Sequence, residues 1–161
     1  MDIKTLRKKQ AESIADKIGS KKLTAKDAMI KPVILKQDDK IDIIIKKLRK
    51  EDTNYVIVVD ENDKFLGEIT VENLIRIMVN ASLNEPLVNL LDIGYSRSIN
   101  YTTAKDYVVR HNNVVSSDES IIEVLRLIDK KNVNYIPVLN SKQKIIGVIT
   151  PSSLLDLLSK N

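Results

Sequence analysis

Asn134-Tyr135-Ile136-Pro137-Val138-Leu139-Asn140, followed by Gly147-Val148-Ile149-Thr150, has an earlier counterpart: Asn54-Tyr55-Val56-Ile57-Val58-Val59-Asp60, followed by Gly67-Glu68-Ile69-Thr70. Shifting the chain by 80 residues lays Asp38–Met78 over Asp118–Leu158 without a gap, and 11 of the 41 positions are identical. Chance gives only a few. A further match, Thr24-Ala25-Lys26-Asp27 over Thr103-Ala104-Lys105-Asp106, falls at a shift of 79. The chain is a tandem duplication, and a period of this kind sets the architecture before any single motif does.

Each copy reads the same way. A helical turn follows Ala-Lys-Asp, then a short extended piece (Val33-Ile34-Leu35; Val114-Val115). Asp38 or Asp118 is placed to cap a helix whose apolar face is Ile41, Ile44, Ile45 and Leu48, or Ile121, Val124, Leu125 and Ile128. Two strands follow, Tyr55–Val59 with Phe65–Ile69 and Tyr135–Leu139 with Ile145–Ile149, joined by polar hairpin connections. A last helix begins after Thr70 or Thr150, with Leu74, Ile77 and Met78, or Leu154, Leu155 and Leu158, facing inward. Pro137 interrupts its strand and fits an edge or a bulge. The fold class is mixed α/β (α+β): two pseudo-symmetric β-α-β-β-α repeats packed through their sheets, plus an N-terminal helix. Residues 1–21 form that amphipathic helix, 22–80 repeat one, 81–101 a connection with turns at Pro86 and Gly94, and 102–161 repeat two.

A chain of 161 residues with 43% hydrophobic and 30% charged side chains buries one sizeable core or two half-sized ones. It has no cysteine, which excludes disulfides, thiolate zinc sites and cysteine nucleophiles, and its single histidine excludes multi-histidine metal clusters. Apolar runs reach about five residues, against roughly 18 for a membrane span. The N-terminal residues carry charge and lack the apolar run of a secretory signal, so a cytoplasmic setting without membrane insertion is expected.

The net charge of +4 comes from one end. Residues 1–31 hold nine Lys or Arg and four Asp or Glu, while the remainder holds 17 and 18. Asp2 can cap the arm's helix, Ile3, Leu6, Ile14 and Ile18 form its apolar stripe, and Gly19-Ser20 ends it. The stripe implies that the helix packs on the body or on a second copy. None of the six aromatics falls in the arm, so nucleic acid is not the expected partner, although an anionic one fits the charge.

Strand, polar turn, strand, Gly-x-Ile-Thr and helix, duplicated after a helix with an extended lead-in, resembles the CBS-domain pair, or Bateman module, over about residues 22–160. The resemblance implies a non-enzymatic regulatory module with no required cofactor and no metal. Such a module takes AMP, ADP, ATP or S-adenosylmethionine in clefts between its repeats, forms a homodimer, and controls an enzyme, channel or transporter.

Two readings meet at Gly-x-Ile-Thr. Glycine lets another group approach the backbone, and a helix start favours phosphate. Threonine is equally an ordinary N-cap that needs no ligand. The resemblance adds ribose or phosphate contact at Thr150, with Ser152, Ser153, His111, Val115, Tyr135 and Pro137 lining the preferred repeat-two cleft. Thr70, Asn73, Ile34, Tyr55 and Ile57 line a weaker repeat-one cleft, burdened by Glu68 and Glu72. His111 is alternatively a solvated loop histidine, and the two tyrosines alternatively pack between repeats. The family pattern has Asp three residues after this Thr, where Asn73 and Ser153 stand, and a neutral group forfeits about 1 kcal/mol of charged hydrogen bonding. No nucleophile–base constellation is present, so no catalytic residue is assigned. A ligand sensor and a dimerising scaffold with decayed clefts both remain open, and binding of nucleic acid through the arm is a minor third.

Overall fold

Apolar residues that alternate in a strand and recur every three or four in a helix need a helix layer on one face of a short sheet, and each copy supplies both. The computed structural model describes residues 2–20, 22–82 and 103–160. In chain order the elements are α1 (Ile3–Ser20), α2 (Ala25–Ala28), β1 (Ile34–Lys36), α3 (Ile41–Lys50), β2 (Tyr55–Val59), β3 (Phe65–Thr70) and α4 (Val71–Ser82). Then come α5 (Ala104–Tyr107), β4 (Val115–Ser116), α6 (Ile121–Lys131), β5 (Ile136–Leu139), β6 (Ile145–Ile149) and α7 (Pro151–Lys160). The turns expected at Pro86 and Gly94 lie outside the described residues.

Residues 32–111 form one compact unit, and residues 1–31 with 112–161 form the other. Each short helix begins within, not after, its Thr-Ala-Lys-Asp stretch and sits in the unit of the opposite repeat. The hydrogen bonds explain why: Ala25 and Lys26 donate their N–H groups to the carbonyls of Glu119 and Ser117 at 2.8 and 2.9 Å. Ala104 and Lys105 donate to Asp39 and Gln37, both at 2.8 Å. Thr24 and Thr103 close capping boxes with Asp27 and Asp106.

In the 32–111 unit the sheet order is β1-β2-β3, with β1 parallel to β2 and β3 antiparallel to it. Leu35, Val56, Val58 and Ile69 face Ile44 and Leu48 of α3 and Leu74 of α4, and α5 closes this core with Ala104 and Tyr107. In the other unit the order is β4-β5-β6, and Val115, Ile136, Val138 and Ile149 pack with Ile121, Val124 and Leu154. Here α2 closes the core with Ala25 and Ala28, lying against α6, α7 and β6. In this same unit α1 approaches α7.

Four expectations need correction. The helix cap is not Asp38 or Asp118 but Lys40 or Ser120, two residues later, and Ser120 Oγ accepts from Glu123 N–H. Asp118 instead accepts from the Ser116 hydroxyl, which holds its exposed carboxyl below the usual carboxylate value. Leu155 faces solvent at 68% exposure, because the inward stripe runs through Leu154 and Leu157. Ile3 and Leu6 are exposed as well, while the side chains of Ile14, Ile18 and Met78 lie outside the described residues. Pro137 lies in the central strand of its sheet rather than at an edge, next to the register shift between Val138 and Leu139 that answers to the expected bulge. Its counterpart Ile57 donates N–H to Val33 at 2.8 Å, a bond proline cannot make, and β4 is one residue shorter than β1.

The hairpins repeat one device. Asp60 Oδ1 accepts from the N–H groups of Asn62 and Lys64, and Asn140 Oδ1 from those of Lys142 and Lys144. Asp63 and Gln143 then take left-handed backbone, at φ 64° and 61°. Asp63 also pairs with Lys36, whereas Gln143 is exposed. Gln143→Gly relieves the left-handed strain and should stabilise the protein by about 0.5–1 kcal/mol, read as a raised midpoint in thermal denaturation. An unchanged or lowered midpoint contradicts this assignment of strain.

Candidate functional site

The helix-side faces leave the opposite sheet faces to carry function. In repeat one Ile34 is in register with Ile57, Ile57 with Glu68, and Tyr55 with Thr70. These residues alternate with the helix-side set, so Ile34, Tyr55, Ile57, Glu68 and Thr70 share the second face. Ile57 is fully buried, and burial raises the Tyr55 hydroxyl pKa above its usual value. Four of the five residues expected for this site are thus brought together. The fifth, Asn73, stands in the first turn of α4 and donates its N–H to Thr70 Oγ1 at 3.2 Å.

In repeat two Pro137 pairs with Val148, while Tyr135 and Thr150 stand one position beyond the Ile136–Ile149 pair. Tyr135, Pro137 and Thr150 therefore share the corresponding face. Val115 does not: it is in register with Val138 in the helix-side core. His111 belongs to the 32–111 unit, where its Nε2 meets Glu68 Oε2 and its ring stands edge-on to Phe65, centroids 5.7 Å apart. Glu68, whose charge in sequence only burdens a phosphate, is the polar partner that holds His111 on this face. A carboxylate replacing Val148 of the other copy was the available signal.

The start of α7 is closely capped. Ser153 N–H donates to Thr150 Oγ1 at 3.1 Å, Thr150 N–H to Ser153 Oγ at 3.0 Å, and the Ser153 hydroxyl to the Thr150 carbonyl at 3.0 Å. Ser153 is 7% exposed, so the side chain that replaces the family's Asp is committed to the cap. Pro151 has no N–H, and exposed Ser152 completes the turn. In α4 the Val71 N–H is taken by the Asn54 carbonyl at 2.9 Å. Much of the amide set at each helix start is already paired, which favours the capping reading of both threonines.

The glycines shared by the two copies have a second explanation too. Gly67, at φ 153°, has the Val109 carbonyl 2.2 Å from where a Cβ would stand, and Gly147 has Met29 side-chain atoms at 2.6–2.9 Å. The group that approaches each glycine is the chain's own lead-in segment. Ile30 and Val109 form two-way backbone bonds with Val148 and Glu68 there.

The profile of the CBS domain matches residues 25–80 and 104–160, so the chain belongs to the CBS-domain family and carries two such domains. A CBS domain-containing protein of Dictyostelium discoideum is 30% identical over 145 residues, 86% of this chain and 93% of that protein. Among solved structures, CBSX2 in complex with AMP superposes with a TM-score of 0.68 at 18% identity, covering 85% of this chain and 96% of that one. The CBS domain pair of protein MJ0100, in complex with 5-methylthioadenosine and S-adenosyl-L-methionine, gives 0.61 at 21% identity, covering 87% and 98%. Among the described residues no helix is long and apolar enough to cross a membrane.

Proposed function

We propose that this chain is a regulatory CBS pair that takes an adenosine-containing ligand (AMP, ADP, ATP or S-adenosylmethionine) at the Tyr–Thr rims of its sheets' second faces and relays its presence to an enzyme, channel or transporter. The observation that carries the reading is the matched Tyr–Thr rim, Tyr55 with Thr70 and Tyr135 with Thr150, at the edge of each face. The family and the adenosine compounds bound by CBSX2 and the MJ0100 pair support it. The module works as a homodimer: Ile75 and Val79 on α4 and Leu155 on α7 are exposed apolar groups that a second copy would cover, a point checked by sedimentation. Binding shifts a conformational equilibrium by no more than the ligand's differential affinity for the two states.

A thermal-shift panel with the four ligands tests the reading. A ligand at 100 times its dissociation constant should stabilise the protein by about 2.7 kcal/mol. If the repeat-two rim is used, Thr150→Val removes the shift while Thr70→Val keeps it. Because Thr150 caps α7, the shift is read from each variant's own baseline, and Thr150→Ser, which retains the hydroxyl, keeps it. No shift with any of the four at millimolar concentration overturns the ligand reading. The second reading, a ligand-free dimerising scaffold, then stands, and the commitment of Ser153 to its cap favours it.

A further inference from the structure

The chain passes between its two compact units twice, and the passages are built differently. At the first, Ile30 is bonded both ways to Val148 and the Val33 carbonyl accepts from Ile57, so only Lys31 and Pro32 lie between sheet-bonded residues. At the second, Val109 is bonded both ways to Glu68, and the next sheet-paired residue is Val115. Arg110 to Val114 separate them. Pro137 accounts for the difference, since it has no N–H with which to hold this lead-in as Ile57 holds Val33.

Within the longer passage one side chain is tied back. His111 reaches Glu68 and Phe65, and the His111 and Glu68 side chains are only 17% and 15% exposed. Repeat two has no equivalent, because Val148 and Pro32 occupy the corresponding positions. We infer that His111 and Glu68 form a clamp that sets the slack of the second passage, and that an occupant of the repeat-one face opens it by taking either side chain as its partner. The clamp rests on the geometry; its opening by an occupant rests on the ligand reading proposed above. Clamped, the passage spans Asn112 to Val114; unclamped, it spans Arg110 to Val114. A carboxylate this buried is costly without a partner, so the clamp releases when His111 is replaced rather than simply lost. Glu68 shares its face with Ile34, Tyr55, Ile57 and Thr70, where such a replacement would arrive.

Amide hydrogen exchange on the full chain tests both halves. The Val109 N–H, bonded to the Glu68 carbonyl at 2.8 Å, reports the clamp, and the Val148 N–H, bonded to Ile30 at 3.0 Å, is the control. Without ligand, Glu68→Val and His111→Ala should each speed Val109 exchange about tenfold while Val148 stays within twofold. Glu68→Val installs the residue repeat two already tolerates, so it guards against a variant that merely unfolds. Val109 exchange within twofold of wild type in both variants, or Val148 accelerating equally, overturns the clamp. AMP and S-adenosylmethionine then serve as probes: the one that raises the melting temperature should change Val109 exchange in wild type and leave it unchanged in Glu68→Val. Binding without that change overturns the opening step alone. Absence of binding removes the opening step together with the ligand reading, and leaves the clamp to the ligand-free result.

Discussion

Gly67→Ala should destabilise the protein by about 3–5 kcal/mol, a large part of the 5–15 kcal/mol typical of a folded domain. Its φ of 153° lies where side-chain-bearing residues are rarely found, at a cost of about 1–3 kcal/mol. The new methyl would also meet the Val109 carbonyl at 2.2 Å, and that carbonyl cannot retreat cheaply. It accepts from Glu68 N–H at 3.1 Å while Val109 N–H donates to the Glu68 carbonyl at 2.8 Å, so moving it loses bonds worth about 1 kcal/mol each. Gly147→Ala is the informative comparison. Its backbone needs no left-handed φ. Its methyl would meet the Met29 Sδ, which can turn aside, and the Met29 Cβ at 2.8 Å, which moves only with the backbone, so a smaller loss of about 1–3 kcal/mol is expected. Urea denaturation of the two variants measures the difference. Equal losses would show that the positive φ and the Val109 carbonyl add nothing at position 67 beyond an ordinary side-chain clash.

The comparison also explains what the sequence made legible. The duplication, the helix and strand order, the Gly-x-Ile-Thr junctions and most of the core stripes on α3 and α6 follow from periods of 3.6 and 2, which are local properties. The exchange of α2 and α5 between repeats is not local. Both begin Thr-Ala-Lys-Asp and both seat by the same pair of backbone bonds, so nothing within either stretch says which repeat receives it. Val115 illustrates a different limit. Ile34 aligns with Val114 at a shift of 80, and choosing Val115 slips the strand by one residue, which carries the side chain to the opposite face. Sequence order assigns His111 to repeat two because it leads into β4, yet the lead-in first pairs with β3 at Glu68 and Val109.

The candidate site divides along the same line. Tyr55 with Thr70, and Tyr135 with Thr150, could be matched from the repeat because strand pairing preserves their spacing. The role of Ser153 could not, since Asp, Asn and Ser at this position all offer a hydrogen-bonding group and only the fold shows it turned back on Thr150. A short polar residue three positions after an N-cap serves the helix as readily as a ligand.

The exchanged helices differ in one residue that matters. Tyr107 of α5 is 8% exposed within the core of the 32–111 unit, whereas the equivalent Ala28 of α2 is 3% exposed in the other core. Backbone bonds seat both helices alike, so the ring is what distinguishes one socket from the other. Tyr107→Ala should therefore cost about 3–4 kcal/mol, the range for emptying a buried aromatic position. Ala28→Tyr should also destabilise, by about 1–3 kcal/mol, because a filled core must shift to admit the ring. Tyr107→Phe keeps the ring and should keep most of the stability that Tyr107→Ala loses. Thermal denaturation orders the variants. If the rings are keys to their sockets, Tyr107→Ala with Ala28→Tyr in one chain will lose at least the sum of the two single losses, since neither helix then fits where it lies. A double variant more stable than either single one would mean that the helices had traded sockets, and that side-chain size rather than chain connection decides which helix fills which socket.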